Sequence, residues 1–397
     1  MFTYAISACC TAHYYILKKP AFIMVVLAVL SVPVSVWGGN PIVTPAGVLL
    51  LWPTPEITYQ IDKGPLGPYS ETIARNLVIK AFEQWSEVEY CRLKCLYGGS
   101  LKTDITADNA ASFLNQMDDG LNPILFDSDG SIIDLLRGKG ASDDLLGLSN
   151  PIATNTGTIL KSQAVINGKK LTGWFGESNT LFSTMLHEFG HFLGLGHSQL
   201  LQDFAFDGFP ANNVFLPVMF PVEPNGRISP NQLSQDDKMT LANLYPTQEF
   251  FTERGGIKGT VTRPTLEAVQ GANVVTVNVS EPLVYTYSVV SDLFIRQTGE
   301  FTFRGLPPGL YEVHIEPINP KFVDVSGVGP FTDRPDSPSF INPVKKEYYN
   351  GNRESGVIGQ DNPDDRVVLS VGKGDMVSDI NFVANELPVS VQDWSIY

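Results

Sequence analysis

The sequence predicts an α+β domain followed by a smaller all-β domain. Apolar residues recur at three- and four-residue steps between Ile73 and Val88, and a second apolar helix is expected across residues 181–195. After residue 255 the helical patterns end, and short β-forming runs separated by glycine follow. We therefore place a first domain at 39–250, a second at 255–385 and a tail at 386–397.

Shorter elements are expected around the two long helices. Alternation of apolar and polar residues predicts a strand at 56–61, and Ser70 begins the first helix. Further strands are expected near 104–106, at 123–126 and at 164–166, with a short helix around 109–117. In the second domain the predicted strands are 256–261, 271–277, 300–303, 311–315 and one within 377–383.

Composition bounds the class of protein. The chain has 397 residues, of which 43% are hydrophobic, and a formal net charge of −15. This length supports two domains with a sizeable core, and the composition is that of a globular protein. Because nucleic acids attract basic surfaces, the acidic balance predicts that no nucleic acid is a partner.

The N-terminus resembles a targeting segment. Lys18 and Lys19 precede an apolar run of 17 residues from Ala21 to Trp37, and small residues follow it. We predict a signal peptide over residues 1–38 and a secreted, extracellular protein with no stable membrane insertion after cleavage. The alternative is a retained anchor, for which the run is short and interrupted by Pro33.

The strongest chemical pattern is a group of three histidines. Of the 5 histidines in the chain, His187, His191 and His197 fall within one short segment. The first two lie four residues apart, so a helix presents both on one face, where one zinc ion can bind both imidazoles. Gly194 permits the chain to reverse so that His197 becomes the third ligand, and Glu188 lies beside the open position as general base.

The segment from His187 to His197 resembles the metzincin signature, His-Glu-x-x-His-x-x-Gly-x-x-His. Ser198 directly after it is similar to the matrixin branch, the relatives of matrix metalloproteinases. Pro217-Val-Met-Phe-Pro221 resembles the matrixin Met-turn. This resemblance implies that Met219 lies beneath the zinc and that Pro221 forms part of the wall of the S1′ pocket, which receives the substrate residue after the cleaved bond.

Leu233-Ser-Gln-Asp-Asp237 resembles the helix that closes matrixin catalytic domains. The resemblance covers roughly residues 50–248 and implies a twisted mixed sheet with two long helices and a closing helix. Matrix metalloproteinases also carry a structural zinc bound largely by upstream histidines. No histidine occurs between His13 and His187, so we expect one catalytic Zn²⁺ only.

Four motifs in the second domain resemble the carboxypeptidase regulatory-like module, a transthyretin-like β-sandwich. They occur in the order of that module: Gly259-Thr-Val261, Gly271-Ala-Asn-Val274, Gly299-Glu-Phe-Thr-Phe303 and Leu306-Pro-Pro-Gly-Leu-Tyr311. The resemblance implies an all-β sandwich. Further along, Glu347-Tyr-Tyr-Asn-Gly is interpreted as a surface feature.

Two pairs of residues leave alternatives open. Asp127 and Asp129 lie one residue apart in an Asp-x-Asp-Gly turn, which either binds Ca²⁺ through its carboxylates or is simply a turn. Cys91 and Cys95 form a small-loop disulfide in an oxidising compartment, or else two free thiols.

These patterns predict a secreted zinc-dependent endopeptidase. It would hydrolyse peptide bonds of extracellular proteins with a zinc-activated water and Glu188 as general base. We expect a monomer whose partners are protein or peptide substrates. The alternative is a non-catalytic binding or adhesion protein with a vestigial zinc domain, which an intact Glu188 disfavours.

Overall fold

The computed structural model describes residues 39–44, 46–117, 119–173, 177–223, 229–319, 343–357 and 361–385. The predicted signal peptide (1–38) and C-terminal tail (386–397) lie outside the described residues. Within the described ranges, no helix combines the length and apolar character that crossing a membrane requires.

A five-stranded mixed sheet forms the centre of the first domain. Its strands are β1 (Glu56–Ile61), β2 (Lys94–Ser100), β3 (Pro123–Asp127), β4 (Gly147–Ala153) and β5 (Ile159–Asn167). They lie in the order β2-β1-β3-β5-β4, and only β4 runs antiparallel to its neighbour. The mixed sheet and the strands predicted at 56–61, 123–126 and 164–166 are confirmed.

The described part of the chain contains seven α-helices. They are α1 (Glu71–Ser86), α2 (Ala107–Leu114), α3 (Ser131–Arg137), α4 (Glu177–Phe192), α5 (Gln202–Phe206), α6 (Gln235–Leu244) and α7 (Phe250–Glu253). The two long helices, α1 and α4, pack together through stacked rings of Phe82 and Phe189, whose centroids lie 4.1 Å apart. Trp85 adds a hydrogen bond from its indole Nε1 to the Leu186 carbonyl at 3.0 Å, which fixes α4 against α1.

The prediction of a strand near 104–106 is wrong. Thr106 instead precedes α2, and its backbone N–H donates to the side chain of Asn109 at 2.9 Å. This arrangement is a capping box, in which the Asn109 side chain accepts the backbone N–H of the residue before the helix. A capping box favours the start of a helix, because N–H groups at that end have no partner within the helix. The helix expected at 109–117 therefore begins and ends earlier.

Both cysteines of the first domain are free thiols, so the disulfide expected between Cys91 and Cys95 does not form in the structure. Cys91 is buried under α6, with its Sγ 3.9 Å from the Leu241 carbonyl. Cys95 lies within β2, paired with Ile57 of β1. Both side chains pack against the core of the first domain, and burial raises the pKa of each thiol.

The second domain is a β-sandwich. Its strands are β6 (Gly255–Thr262), β7 (Asn273–Asn278), β8 (Thr286–Val290), β9 (Glu300–Leu306), β10 (Gly309–Glu316), β11 (Glu347–Tyr348), β12 (Leu369–Val371), β13 (Met376–Val377) and β14 (Phe382–Val383). One sheet has the order β11-β10-β7-β8, with β12 also on β10, and the other has the order β13-β6-β14, with β9 also on β6. The predicted all-β sandwich is confirmed.

Helix α6 and strand β8 join the two domains. Leu241 of α6 packs in the core of the first domain, whereas Met239, two residues away, packs in the core of the second. The buried carboxylate of Asp236 accepts hydrogen bonds from Ser198 Oγ at 2.6 Å and from the Ser288 N–H of β8 at 2.8 Å. One side chain of the closing helix therefore binds both domains.

The segment 39–44 also contacts both domains. The Asn40 carbonyl accepts the Gly196 N–H at 2.7 Å, and the Ile42 N–H donates to the Gly194 carbonyl at 2.8 Å. The side chain of Asn40 accepts the Val290 N–H of β8 at 3.1 Å. The lead-in thus packs between β8 and the chain reversal at Gly194.

Replacing Asp236 is expected to change how stability depends on pH. Burial, reinforced by the neighbouring charge of Asp237, raises the pKa of Asp236 to about 7, although its bond from Ser198 acts in the opposite direction. The unfolded chain releases this proton at lower pH. The stabilising contribution of protonated Asp236 is therefore complete below about pH 4 and is lost as pH rises towards 7.

Relative to the wild type, Asp236→Asn should consequently become more stable as pH rises from 4 to 7, as measured by urea unfolding at several pH values. The exposed Asp203→Asn is the control for loss of one negative charge. A stability difference between Asp236→Asn and wild type that is constant with pH would contradict this assignment.

Candidate metal centre

Helix α4 and the turn after it bring the three predicted histidines together. His187 and His191 lie one turn apart near the end of α4, and Gly194, at φ +102°, reverses the chain so that His197 returns to them. One ring nitrogen from each residue lies within 4.8 Å of the other two, and all three side chains are buried. Within the described ranges, this is the group of His, Cys, Asp or Glu side chains that meets the spacing of a metal site.

Backbone carbonyls orient two of the rings. His187 Nδ1 lies 2.7 Å from the Val218 carbonyl, and His191 Nδ1 lies 2.8 Å from the Leu195 carbonyl. A carbonyl oxygen only accepts, so each Nδ1 carries the proton and each Nε2 carries a lone pair. The second nitrogen of each ring is thus directed inward as a ligand atom.

The separation of these lone pairs fits zinc. His187 Nε2 and His191 Nε2 lie 3.1 Å apart and face each other as two acceptors. Two nitrogens on one tetrahedral Zn²⁺, each bound at ~2.05 Å, lie about 3.3 Å apart. A cation between the rings converts their mutual repulsion into attraction, so the donor set fits the metal.

Burial also keeps the imidazoles neutral. It lowers the pKa of His187 to about 4, against the opposing effect of the Val218 carbonyl. Burial and then the neighbouring histidines lower the pKa of His191 well below its usual value. Neutral imidazole is the form that binds zinc, so protons do not compete with the metal at neutral pH.

Glu188 lies next to this group without a hydrogen-bond partner. Its side chain is fully buried, and neither carboxylate oxygen is bonded to any described residue. Burial raises the pKa of Glu188 to about 8. An orphaned buried carboxylate costs stability, which indicates a group retained for chemistry rather than for packing.

Gly147, which makes room for the side chain of Glu188, was not identified from the sequence. Gly147 begins β4, and a Cβ placed on it would lie 2.8 Å from Glu188 Cγ. Only glycine therefore lets the edge strand pass this close to the side chain. The strand itself carries little local signal, because its run Gly-Leu-Ser-Asn-Pro-Ile-Ala mixes turn-forming and apolar residues.

The predicted Met-turn packs directly against α4, the helix that carries His187 and His191. A Cβ on Gly190 would overlap Met219 Sδ, so the sulfur occupies the space that glycine leaves on α4. The Met219 carbonyl accepts the Ser198 N–H at 2.9 Å, next to the third histidine. Met219 is thus a buried support for the segment that carries all three rings.

Asp237 holds the Met-turn in place. Its two carboxylate oxygens accept the Val218 N–H at 2.9 Å and the Met219 N–H at 3.1 Å. Because the carbonyl of the same Val218 orients His187, the carboxylate is connected to the ligand through a single residue. The motif Leu-Ser-Gln-Asp-Asp pointed to the closing helix, but nothing in the sequence pointed to this contact.

A small cavity lies beside the metal centre, one helical turn before His187. Thr184 of α4 lines one side, and Val218, Phe220 and Val222 line the other. Pro221, the predicted S1′ wall, is buried between two of these residues and is not itself in the lining. Its role as the pocket wall stays a prediction.

The two acidic residues considered for calcium cap a helix. Asp127 accepts the Ile132 N–H at 3.1 Å and the Ile133 N–H at 2.8 Å, in the first turn of α3. Asp129 accepts the Ser131 N–H at 3.0 Å. These contacts favour the turn interpretation, because the carboxylates already satisfy backbone groups that begin the helix.

Adding a methyl group at Gly190 tests the packing beneath the ligands. Gly190→Ala should lower the free energy of unfolding by about 1–3 kcal/mol, since the new Cβ displaces Met219. In a Met219→Ala background the cost should be smaller, because only Trp85 Cζ2, 3.1 Å from the added Cβ, still has to shift, and alanine is the better helix former by about 1 kcal/mol. Urea unfolding of the four proteins in this double-mutant cycle measures the coupling, and additive costs would contradict the contact.

Comparison with known families agrees with this geometry. The family model described as Matrixin matches residues 51–246, and that described as Carboxypeptidase regulatory-like domain matches residues 256–324. No curated protein matched the chain. Matrixins are zinc metalloproteases, and the three histidines lie inside the matched range. The first domain of this chain therefore belongs to the matrixin family, and a carboxypeptidase regulatory-like domain follows it.

Proposed function

We propose that the protein is a secreted zinc-dependent endopeptidase in which Glu188 is the general base. The observation that carries the proposal is the orphaned, buried carboxylate of Glu188 beside three converging imidazoles. A structural zinc site is closed by four protein ligands, whereas three ligands leave a position for water. The family match supports protease chemistry at this position.

Different residues have different roles in the proposed hydrolysis. His187, His191 and His197 would hold Zn²⁺, which when bound polarises the scissile carbonyl and acidifies a water molecule. Glu188 takes the proton of the attacking water and passes it to the leaving amine. The carbonyls of Val218 and Leu195 keep two of the rings neutral and correctly turned throughout.

We further propose that residues 1–38 direct secretion and that extracellular proteins are the substrates. The catalytic domain would span 39–250 and the sandwich 255–385; both family matches fall within these limits. Packing of the segment 39–44 against both domains supports its inclusion in the mature protein. A non-catalytic binding role would leave the buried carboxylate of Glu188 without a purpose.

Neutralising Glu188 tests the assignment. Glu188→Gln should retain zinc but cleave casein or a peptide library at least about 10³-fold more slowly, because the amide cannot accept the proton. Metal content by mass spectrometry and initial rates of cleavage are measured on the same samples. Glu83→Gln, at an exposed position of α1, is the control and should keep full activity.

Two results would contradict the proposal in different ways. Full activity in zinc-loaded Glu188→Gln would remove Glu188 as the base while leaving the protease function intact. A wild-type protein that binds one zinc per chain yet cleaves no protein or peptide would instead favour the non-catalytic alternative.

A further inference from the structure

A cavity of about 640 Å³ lies where the two domains meet, and we call it the junction cavity. Its walls come from the end of α1 and from α6 in the first domain, and from β8 and β9 in the second. None of the three histidines of the metal centre lines it. Ligand-binding cavities usually measure roughly 300–1,000 Å³, so the junction cavity has room for several residues of a peptide.

Lys238 and Arg254 give the wall of the junction cavity positive charge. Lys238 of α6 is half-buried, and its ammonium group forms no ion pair or hydrogen bond within the described part of the chain. The Arg254 guanidinium lies 4.8 Å from the centre of the Tyr90 ring and pairs at 3.4 Å with Glu89, a side chain that is 79% exposed. Glu87, the other carboxylate of the lining, is exposed as well. Because ion pairs with such exposed carboxylates contribute little, both cations are available to a ligand.

Hydrogen-bond donors of the lining also have no partner. Tyr287 of β8 is only 1% exposed and lines the junction cavity, yet its hydroxyl forms no hydrogen bond with any described residue. A buried donor without a partner costs free energy, which a ligand that accepts its hydrogen bond would offset. Tyr285 and Gln235 add a phenol and an amide that are likewise unbonded in the described ranges. Donors combined with positive charge are the chemistry that recognises carboxylates.

Two smaller cavities adjoin the junction cavity on the side of the metal centre. One of about 180 Å³ shares Leu233 and Gln235 with the junction cavity. The same cavity shares Pro217 with the small cavity beside the metal centre. Pro217 precedes Val218, whose carbonyl orients His187. A polypeptide bound at the metal centre can therefore extend along these cavities to the junction between the domains.

We propose that the junction cavity is an exosite, a site away from the catalytic residues that binds an acidic segment of the protein substrate. The proposal rests on the protease function proposed above, because the occupant is the chain that is cleaved. Carboxylates of this segment would pair with Lys238 and Arg254 and accept a hydrogen bond from Tyr287. Phe250 and Met239, which also line the cavity, would contact its apolar side chains.

The competing explanation is that the junction cavity is a water-filled gap between packed domains. Water would then satisfy the hydroxyl of Tyr287, and the exposed carboxylates of Glu87 and Glu89 would balance the two cations. In that case removing the charge of Lys238 would change neither the binding nor the cleavage of acidic substrates. The two explanations therefore differ in how acidic substrates respond to this charge.

The first test measures binding to the full-length Glu188→Gln protein, which is expected not to cleave its ligand. One probe is the fluorescein-labelled peptide Gly-Phe-Glu-Asp-Leu-Glu-Phe-Gly, and the second carries Gln and Asn in place of its acidic residues. Fluorescence anisotropy should show that the acidic probe binds at least about tenfold more tightly than the neutral one. Mass spectrometry after each titration checks that the probes are intact.

Charge-neutralising variants in the same background locate the binding site. Lys238→Gln should weaken binding of the acidic probe at least about fivefold and leave the neutral probe unchanged, and it disrupts no described contact of that side chain. Combining it with Arg254→Gln should abolish the preference for the acidic probe. Lys258→Gln, at an exposed position of β6 outside the cavity, is the matched control and should keep that preference.

The second test measures cleavage by proteins that retain Glu188. Lys238→Gln should raise KM for casein, an acidic protein, at least about threefold and leave kcat unchanged, because only binding of the distant segment is lost. Cleavage of short neutral peptides, which do not reach the junction cavity, should not change.

The outcomes separate the exosite from the protease function. A wild type that cleaves neither casein nor short peptides overturns the protease function and, with it, the substrate as occupant. The exosite alone is overturned if both probes bind equally, if Lys238→Gln changes neither probe binding nor KM, or if Lys258→Gln has the same effect as Lys238→Gln.

Discussion

Two neighbouring carboxylates at the start of α6 connect the metal centre to the rest of the molecule. Asp237 accepts the N–H groups of Val218 and Met219, and the carbonyl of that same Val218 orients His187. Asp236 faces the other way and accepts from Ser198 and Ser288. Both carboxylates are buried in the first turn of the helix, and burial raises the pKa of each although hydrogen bonds act in the opposite direction. A single helical turn thus fixes the ligand segment and the second domain together.

The parts of the fold that the sequence predicts well are those whose signal is local. The stripe from Ile73 to Val88 and the spacing of the three histidines each depend on one helix, so periodicity is enough to identify them. The strands with clear alternation or glycine punctuation were found for the same reason. The residues that orient the rings, by contrast, are carbonyls of Val218 and Leu195, and any residue type carries a carbonyl. Their role arises from tertiary contact and leaves no trace in composition.

The elements missed in the second domain have a related physical cause. Strand β8 is buried along its whole length, so it lacks the alternation that marks a half-exposed strand. Strands β11 and β12 have two or three residues each and form by pairing with the distant strand β10, whereas the strand predicted within 377–383 is confirmed as β14. The segment that begins at Glu347 is predicted to be a surface feature, but Glu347 and Asn350 are buried, with exposed fractions of 6% and 3%. Glutamate is ordinarily exposed, so the residue type gives no sign of this burial.

The contacts between the domains argue that they form one structural unit. Met239 of the closing helix packs in the core of the sandwich, and the Asn243 amide donates to the Arg304 carbonyl of β9 at 2.9 Å. If the sandwich were removed, Met239 would be exposed and Asp236 would lose its bond from Ser288. These changes would destabilise α6, the helix that positions the Met-turn, because α6 is buried on both faces. The carboxypeptidase regulatory-like domain therefore packs against the second face of the closing helix α6. Because Asp237 of α6 binds the Met-turn, this packing also supports the geometry of the histidines.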